Sequence, residues 1–570
     1  MRSPFRRTLA ASLLAIAACQ AADLPLDASK WTFVGGSWAV IGKALVQSNP
    51  KHGSKAFFSA QGYAAPTLTA RFRIRDEGRG VQAAGLILCS TDSRSSCGVH
   101  YDARNDQIIL SRTGDGERHE IARQRKVPIE PNRWYEARTT IAADGKIEVF
   151  LDGKRIIAAE DKALTGGLVG VYTSQGAVEY TSIAVTGKPI DVLGWRIMKS
   201  WDVPREQHGA TIVETKVIAK QPGRYIGWPT ICRRRDGELL IVFSGDRDEH
   251  VCPWGKVQLV RSTDEGRTWS APSSICNTPL DDRDAGIIET QKGTLVVNWF
   301  TSLAFESYGK RLAAAGDVRA QQWLLHAEKL TKPTRDQWSG YWTRRSEDGG
   351  KTWLDPVRHA ATTPHGPAEL KDGRLLMVGR RGSKGYTELV VEQSTDDAKS
   401  WQELAIIKQD PKDDPTKYHE PHVVEAADGT LIAMFRFHYH PGGKARRDVK
   451  GCYLRQAESH DGGKTWTTAH PIPLLGYPPH LIRLRDDRLL CVWGRRTPPY
   501  GEYACLSNDN GKTWDVDNQI RLASAMNGDL GYPASTELPD GRILTVYYQV
   551  DKAGESTSLI GTMWKPAAKP

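Results

Sequence analysis

The octet S-x-D-x-G-x-T-W recurs five times in this 570-residue chain: "STDEGRTW" at 262–269, "SEDGGKTW" at 346–353, "STDDAKSW" at 394–401, "SHDGGKTW" at 459–466 and "SNDNGKTW" at 507–514. A short Asp side chain bonds neighbouring backbone amides, Gly permits a positive φ, and Trp packs into a sheet edge. Those are the requirements of a turn and a staple, so five copies specify a fold rather than a chemistry. The octets follow units made of two apolar strands around a turn: "WPTICRRRDGELLIVFSGDR" from 228, "DAGIIETQKGTLVVNWFTS" from 284, "HGPAELKDGRLLMVGRRG" from 365, "HEPHVVEAADGTLIAMFRFH" from 419 and "YPPHLIRLRDDRLLCVWGRR" from 477. A sixth unit, "GYPASTELPDGRILTVYYQV" from 531, ends instead in "STSLIGTMWK". Six units predict a six-bladed β-propeller, and "ATIVETKVIAK" at 210–220 is the early strand that would complete the last blade.

The residues before the repeats read differently. From about 24 to 190, short alternating strands such as "TLTARFRIR", "AAGLILCS" and "GGLVGVYTS", with "ADGK" and "LDGKR" as turns, predict an all-β sandwich. The expected organisation is a signal segment at 1–22, a sandwich at 24–190 and a propeller at 205–566. Arg2, Arg6 and Arg7 precede the apolar run "LAASLLAIAAC", an export signal too short to span a bilayer. Its end "IAAC" resembles a bacterial lipobox, which would put a lipid anchor on Cys19; cleavage within "ACQAAD" is the alternative. Either route exports the protein, to the periplasm, the outer-membrane surface or the medium. No later run suggests a transmembrane helix.

Of nine cysteines, eight remain once Cys19 is set aside, and the spacing allows Cys89 with Cys97 and Cys232 with Cys252 to close short loops. The absence of a CxxC spacing argues against metal binding by cysteine. The formal charge of +10 contains no Lys/Arg block dense enough for a nucleic-acid groove.

Inner strands of a propeller converge on its axis, so residues opening the six units share one face. Those openings carry Arg224, Trp228, Asp284, His365, His419, Glu420, His480 and Tyr532, and the loop "SGDRDEH" adds Asp246, Arg247 and Asp248. The octets resemble the Asp boxes of sialidase-like propellers, and the resemblance covers roughly 205–566. It implies Tyr532 as nucleophile, Glu420 as the carboxylate that activates it, Asp248 or else Asp246 as acid/base, and Arg436 as one arginine of a carboxylate-binding triad. Gly227 stands where the family's first arginine usually sits, with Arg224 three positions earlier; Arg495 and Arg496 end the strand in the fifth unit, where His480 lies at the axis. Substrate contacts are expected from Arg224, Arg247, Arg436, Arg495, Asp284, His365, His419, His480 and Trp228, with core packing an equal reading for Trp228. "NRWYEARTTIAADGKIEVFLDGKRI" resembles laminin-G or concanavalin-like jelly rolls.

The chemistry suits these residue types. A sialoside bears a carboxylate on its anomeric carbon and repels an anionic nucleophile; a tyrosine deprotonated as it attacks avoids that penalty. The reading is therefore an exported retaining exo-glycoside hydrolase on a terminal, acidic sugar, with a carbohydrate partner and no cofactor. A polysaccharide lyase using Tyr532, His480 and Arg436 on a uronate, and a carbohydrate-binding surface protein without turnover, are the alternatives. The histidines are read as hydrogen-bonding sugar hydroxyls, as structural, or as metal ligands. The insertion 303–340 has helical periodicity in "RAQQWLLHAEKL" and is read either as walling one side of the pocket or as a passive surface excursion.

Overall fold

The structure, a computed structural model, describes residues 22–569 apart from 49–53, 76–81, 94, 115–116, 164, 175, 192–194, 196–202, 315, 383–386, 439–452, 498 and 553–554. The expected signal segment, with Cys19, lies outside the described residues but for its last position. Among the described residues no helix is long and apolar enough to cross a membrane. The chain divides into two units, Met1–Met198 and Lys199–Pro570.

The first unit is sheet-rich, its strands paired antiparallel from Ala22–Asp23 to Val178–Ile190. Trp134–Ile141 shows the expected alternation, burying Tyr135, Ala137, Thr139 and Ile141 while pairing with Gly62–Ile74. Leu68, Phe72, Leu86, Tyr101, Val149, Val171 and Tyr180 belong to its core. The loop-closing disulfides expected from spacing are absent: Cys89, Cys97, Cys232 and Cys252 are all buried free thiols. Strand register puts Cys97 opposite Leu88, one residue away from Cys89. Cys232 packs in the core shared by the first two blades, whereas Cys252 sits under the helical insertion.

The second unit is the six-bladed propeller. Five blades are consecutive four-stranded meanders, the first running Tyr225–Arg233, Leu239–Arg247, Lys256–Ser262 and Ser273–Cys276. The sixth joins Leu530–Glu537, Ile543–Val550 and Thr557–Pro566 to Ala210–Ala219, so an early strand closes the ring. The insertion in the second blade forms α1 (Ala304–Ala314), α2 (Val318–Lys329) and α3 (Lys332–Trp338).

Each octet is a closed turn. In the first, Ser262 Oγ donates to Asp264 Oδ1 at 2.7 Å, Gly266 N–H donates to Ser262 Oγ at 2.8 Å, and Asp264 accepts from the Thr268 amide at 2.9 Å and its hydroxyl at 2.6 Å. The same pattern recurs around Asp348, Asp396, Asp461 and Asp509. The glycine position is left-handed in each, with φ of 82° at Gly266, and Ala398 accepts φ of 61° where the third octet lacks glycine. Two octet tryptophans tie a blade to the one before it by hydrogen bonds: Trp401 Nε1 donates to Thr343 Oγ1 and Trp514 Nε1 to Gln456 Oε1, both at 2.9 Å, whereas Trp466 Nε1 donates to Gly463 O within its own turn.

A second staple recurs nearer the axis. At the far end of four inner strands a glutamate accepts the backbone N–H of the preceding blade's turn: Glu289 from Arg235, Glu369 from Gln291 and Glu425 from Lys371 at 2.7 Å, and Glu537 from Arg485 at 2.8 Å. In the first and fifth blades Arg233 and Arg483 take that position. Charge-assisted bonds of this kind fix the angular spacing of the blades.

The octets make the propeller acid-sensitive. Bonds from Thr268 and Thr352 hold Asp264 and Asp348 well below the usual carboxylate range, and those from Thr465 hold Asp461 at about 2. A carboxylate depressed from its unfolded value of ~4 contributes stability above that pH and loses it as pH falls through the folded value. Thermal unfolding followed from pH 7 downward is therefore expected to be flat at first and to fall steeply between pH ~4 and ~2. Asp461→Asn is expected to melt lower at neutral pH and to show a shallower acid slope.

Candidate active site

Four residues that open inner strands have left-handed backbones: Trp228 at φ 55°, Asp284 at 50°, Glu420 at 45° and Tyr532 at 52°. Each sits where the strand ladder slips register, between Gly227 and Thr230, Arg283 and Gly286, His419 and His422, and Gly531 and Ala534. These are β-bulges, which re-aim a side chain that a regular strand would send to a flank. Proline follows three of them, as Pro229, Pro421 and Pro533, and proline tolerates a bulge because it has no N–H to give the ladder. A non-glycine residue in this region costs about 1–3 kcal/mol, so the surrounding sheet must impose the conformation.

Two of the four meet. Tyr532 Oη donates to Glu420 Oε1 at 2.5 Å, and Arg436 Nη1 donates to both Glu420 oxygens at 2.8 and 2.7 Å. Burial opposes ionisation of Glu420, but the charge and hydrogen bonds of Arg436 outweigh it and hold the carboxyl at about 2. Burial pushes the Tyr532 phenol well above its ordinary value, and the anionic Glu420 adds to that, against Arg436 and Arg496. At neutral pH the pair is thus a neutral phenol bonded to a carboxylate. Arg436 Cζ lies 4.2 Å from the Tyr477 ring, and Arg496 Cζ lies 5.6 Å from the rings of both Tyr477 and Tyr532. Arg496 is oriented by Leu530 O at 2.8 Å and Tyr548 Oη at 3.0 Å.

Asp284 is buried, with Oδ1 unpartnered, within electrostatic range of Glu420 and Tyr532. Burial raises its carboxyl to about 7, against the pull of Arg283. Trp228 is 1% exposed, its ring held between Arg247 at 4.9 Å and Arg283 at 4.7 Å and set edge-on to Tyr532 at 6.3 Å. It supports the Tyr532 ring and offers no open face to a sugar.

The first-blade loop forms a separate ionic cluster. Arg224 Nε donates to Asp246 Oδ1 at 3.0 Å and Nη1 to Asp248; Lys256 also bonds Asp246, and Trp323 of α2 donates to Asp248 Oδ2 at 2.8 Å. The helical insertion thereby anchors the loop. A cavity of about 510 Å³ beside it is lined by Arg224, Asp246, Trp254, Lys256, Thr278 and His326.

Several expected contacts are placed elsewhere. Arg247 is fully buried against Asp281 at 2.7 Å, so it braces the loop instead of reaching a substrate. Arg495 lies over Tyr503 at 5.9 Å, and the next residue, Arg496, takes the place beside Tyr532. His365 and His480 are buried at the axis, while half-buried His419 pairs its backbone with Arg436. Sequence reasoning did not single out Arg283, Arg380 or His422. Arg380 lies within electrostatic reach of Glu420 and Arg436, and its buried Nε has no partner. Alternation along Leu489–Arg495 separates Arg495 from Arg496, but does not say which faces the axis.

The model of the BNR repeat-like domain matches residues 199–432 and 323–545, together most of the propeller. The chain belongs to this BNR repeat-like family. A Dyadobacter fermentans protein of unknown function is 23% identical over 63% of this chain and 99% of its own, with a TM-score of 0.51, a similarity of fold. The NanB sialidase of Streptococcus pneumoniae aligns at 13% identity over 88% of this chain and 94% of its own, with a TM-score of 0.42. The Hadza microbial sialidase Hz136 aligns at 14% identity over 87% and 93%, with a TM-score of 0.46. No curated protein matches the chain.

In this BNR repeat-like propeller Asp284 is expected to titrate near 7. An infrared carboxylic-acid band that disappears as pH rises through about 7, and is missing from Asp284→Asn, would report it. Because the folded value is raised, ionisation opposes folding, and Asp284 draws stability down as pH climbs from ~4 towards 7. Asp284→Asn should therefore melt above the parent at pH 8.

Proposed function

We propose that the propeller is a retaining glycoside hydrolase acting on a terminal acidic sugar, with sialosides the first substrates to test. The 2.5 Å bond between Tyr532 and Glu420, flanked by Arg436 and Arg496, carries this reading. Tyr532 attacks the anomeric carbon while its proton passes to Glu420, so charge leaves the phenol as the covalent bond forms. Arg436 steadies Glu420 throughout, and Arg496 is placed to receive the sugar carboxylate. Asp248 is to protonate the departing oxygen and then take a proton from water, which requires it to give up the bonds it accepts from Arg224 and Trp323, with retention as the outcome.

Elimination from a uronate is supported less well. It needs His480 as base, but that ring is 5% exposed and its Nδ1 accepts the Ser535 amide. The first unit fits the role of a concanavalin-like or laminin-G-like sandwich that holds the enzyme on glycan. An exported or Cys19-anchored protein would meet such glycans outside the cell.

The test is incubation of the purified protein with a fluorogenic α-sialoside. Release is expected, with a loss of at least ~10³-fold in Tyr532→Phe and of ~10²-fold or more in Glu420→Gln. No release from the parent would rule out ordinary sialosides as substrates, and ultraviolet absorbance with uronate glycans would then detect elimination.

A further inference from the structure

Beneath Tyr532 three histidines from three blades meet on the axis. The ring centroids of His422 and His480 are 4.5 Å apart and nearly parallel; His365 stands edge-on to both, 5.7 and 5.0 Å away, and 6.1 Å from the Tyr532 ring. All three are more than nine-tenths buried. They line a cavity of about 440 Å³ that runs along the inner strands towards the ends opposite Tyr532, past Thr230, Glu369, Lys371, Arg483 and Thr536.

Their hydrogen bonds assign the tautomers. His422 Nδ1 accepts the Leu481 amide at 2.9 Å and His480 Nδ1 accepts the Ser535 amide at 3.4 Å, so both rings carry their proton on Nε2. Thr230 Oγ1 lies 3.2 Å from the Pro364 carbonyl and 3.1 Å from His365 Nδ1. Its single proton satisfies the carbonyl, which makes His365 Nδ1 a donor to Oγ1 and leaves Nε2 a lone pair. That Nε2 is buried and has no partner. The trio therefore offers two N–H donors and one acceptor.

This set discriminates among ligands. A metal needs a lone pair on each coordinating nitrogen, with the other nitrogen usually donating; two of these rings have the reverse arrangement. Among the described residues no group of three or more His, Cys, Asp or Glu side chains is disposed to hold a metal ion. An anion would satisfy the two donors but face the lone pair of His365. A hydroxyl accepts two hydrogen bonds and donates one, the complement in number of these three nitrogens. The cavity volume of about 440 Å³ falls within the range of small-molecule sites, roughly 300–1,000 Å³, and its polar lining suits a polyol.

We propose that the axial cavity is a second binding site, distinct from the Tyr532 centre, in which His365, His422 and His480 bind a hydroxyl of a neutral sugar entering from the far ends of the inner strands. The site does not depend on the hydrolase reading.

The full chain labelled with ¹⁵N-histidine tests it. Long-range ¹H–¹⁵N spectra should show Nε2–H tautomers for His422 and His480 and the Nδ1–H tautomer for His365. Galactose should shift these imidazole signals saturably, in the parent and equally in Tyr532→Phe, and the shifts should vanish in His422→Phe/His480→Phe. Absence of shifts up to the solubility limit of galactose would mean water alone occupies the trio and would overturn the proposal, as would stoichiometric zinc binding that removes the Nε2 protons. If the double variant fails to fold, the tautomers and the galactose titration of the parent still decide.

Discussion

The bulge that opens the inner strand is the constraint on which the rest of this propeller depends. A regular strand alternates its side chains between the two flanks of a blade, where they pack against neighbouring blades and never reach the axis. Reversing φ at Trp228, Asp284, Glu420 and Tyr532 breaks that alternation at the same place in four blades and directs four large or charged side chains to one end. Downstream of the bulge the ladder resumes, so apolar residues such as Ile231, Ile287, Val423 and Ala534 still fill the interfaces. Site and core are thereby built on the same strands without competing for the same positions.

Strained backbone persists only where its surroundings are stiff, and two sets of staples supply the stiffness. The octets lock the outer turns and lean two of their tryptophans on the preceding blade. Glu289, Glu369, Glu425 and Glu537 lock the turns near the axis. Both act between neighbours, so an error in the placement of one blade would pass around the ring to the closing pair of Ala210–Ala219 with Thr557–Pro566. A bond as short as that between Tyr532 and Glu420, which joins the sixth blade to the fourth, requires the fifth blade to hold its width.

The architecture was legible because its signals are local. Octet, turn and strand repeat within one blade, and the partner of the last blade was recognisable as an unassigned apolar strand. Tyr532 and Glu420 were legible for the same reason, since they open equivalent strands, whereas Arg436, on the strand paired with that of Glu420, was legible only through the family resemblance. What the sequence hid was the facing of single residues. Arg495 and Arg496 differ by one step, and only the course of the chain after the strand decides which approaches Tyr532. Arg247 was read as a substrate contact, and Trp228 as a contact or a core residue, because they lie beside the axial opening, and each is consumed in supporting it. His422 was passed over because it falls two residues beyond Glu420, past a bulge that the Glu420-Pro421 pair could have announced.

The charge around the Tyr532 centre then narrows what can occupy it. Arg247 and Arg283 share Asp281, and Arg436 is matched by Glu420. Among the described residues Arg380 and Arg496 bond no carboxylate, Asp284 holds its proton up to about 7, and the axial histidines are kept neutral by burial. Guanidiniums that stay charged in a partly buried site demand a counter-charge, and neutralisation by losing a proton is closed to them. Glu420 lies within electrostatic range of both Arg380 and Arg496 and meets part of that demand, and a neutral sugar would leave the rest unmet. A sugar carboxylate would answer it beside Tyr532, which under the proposed function ties the affinity of the substrate to the position of its reaction.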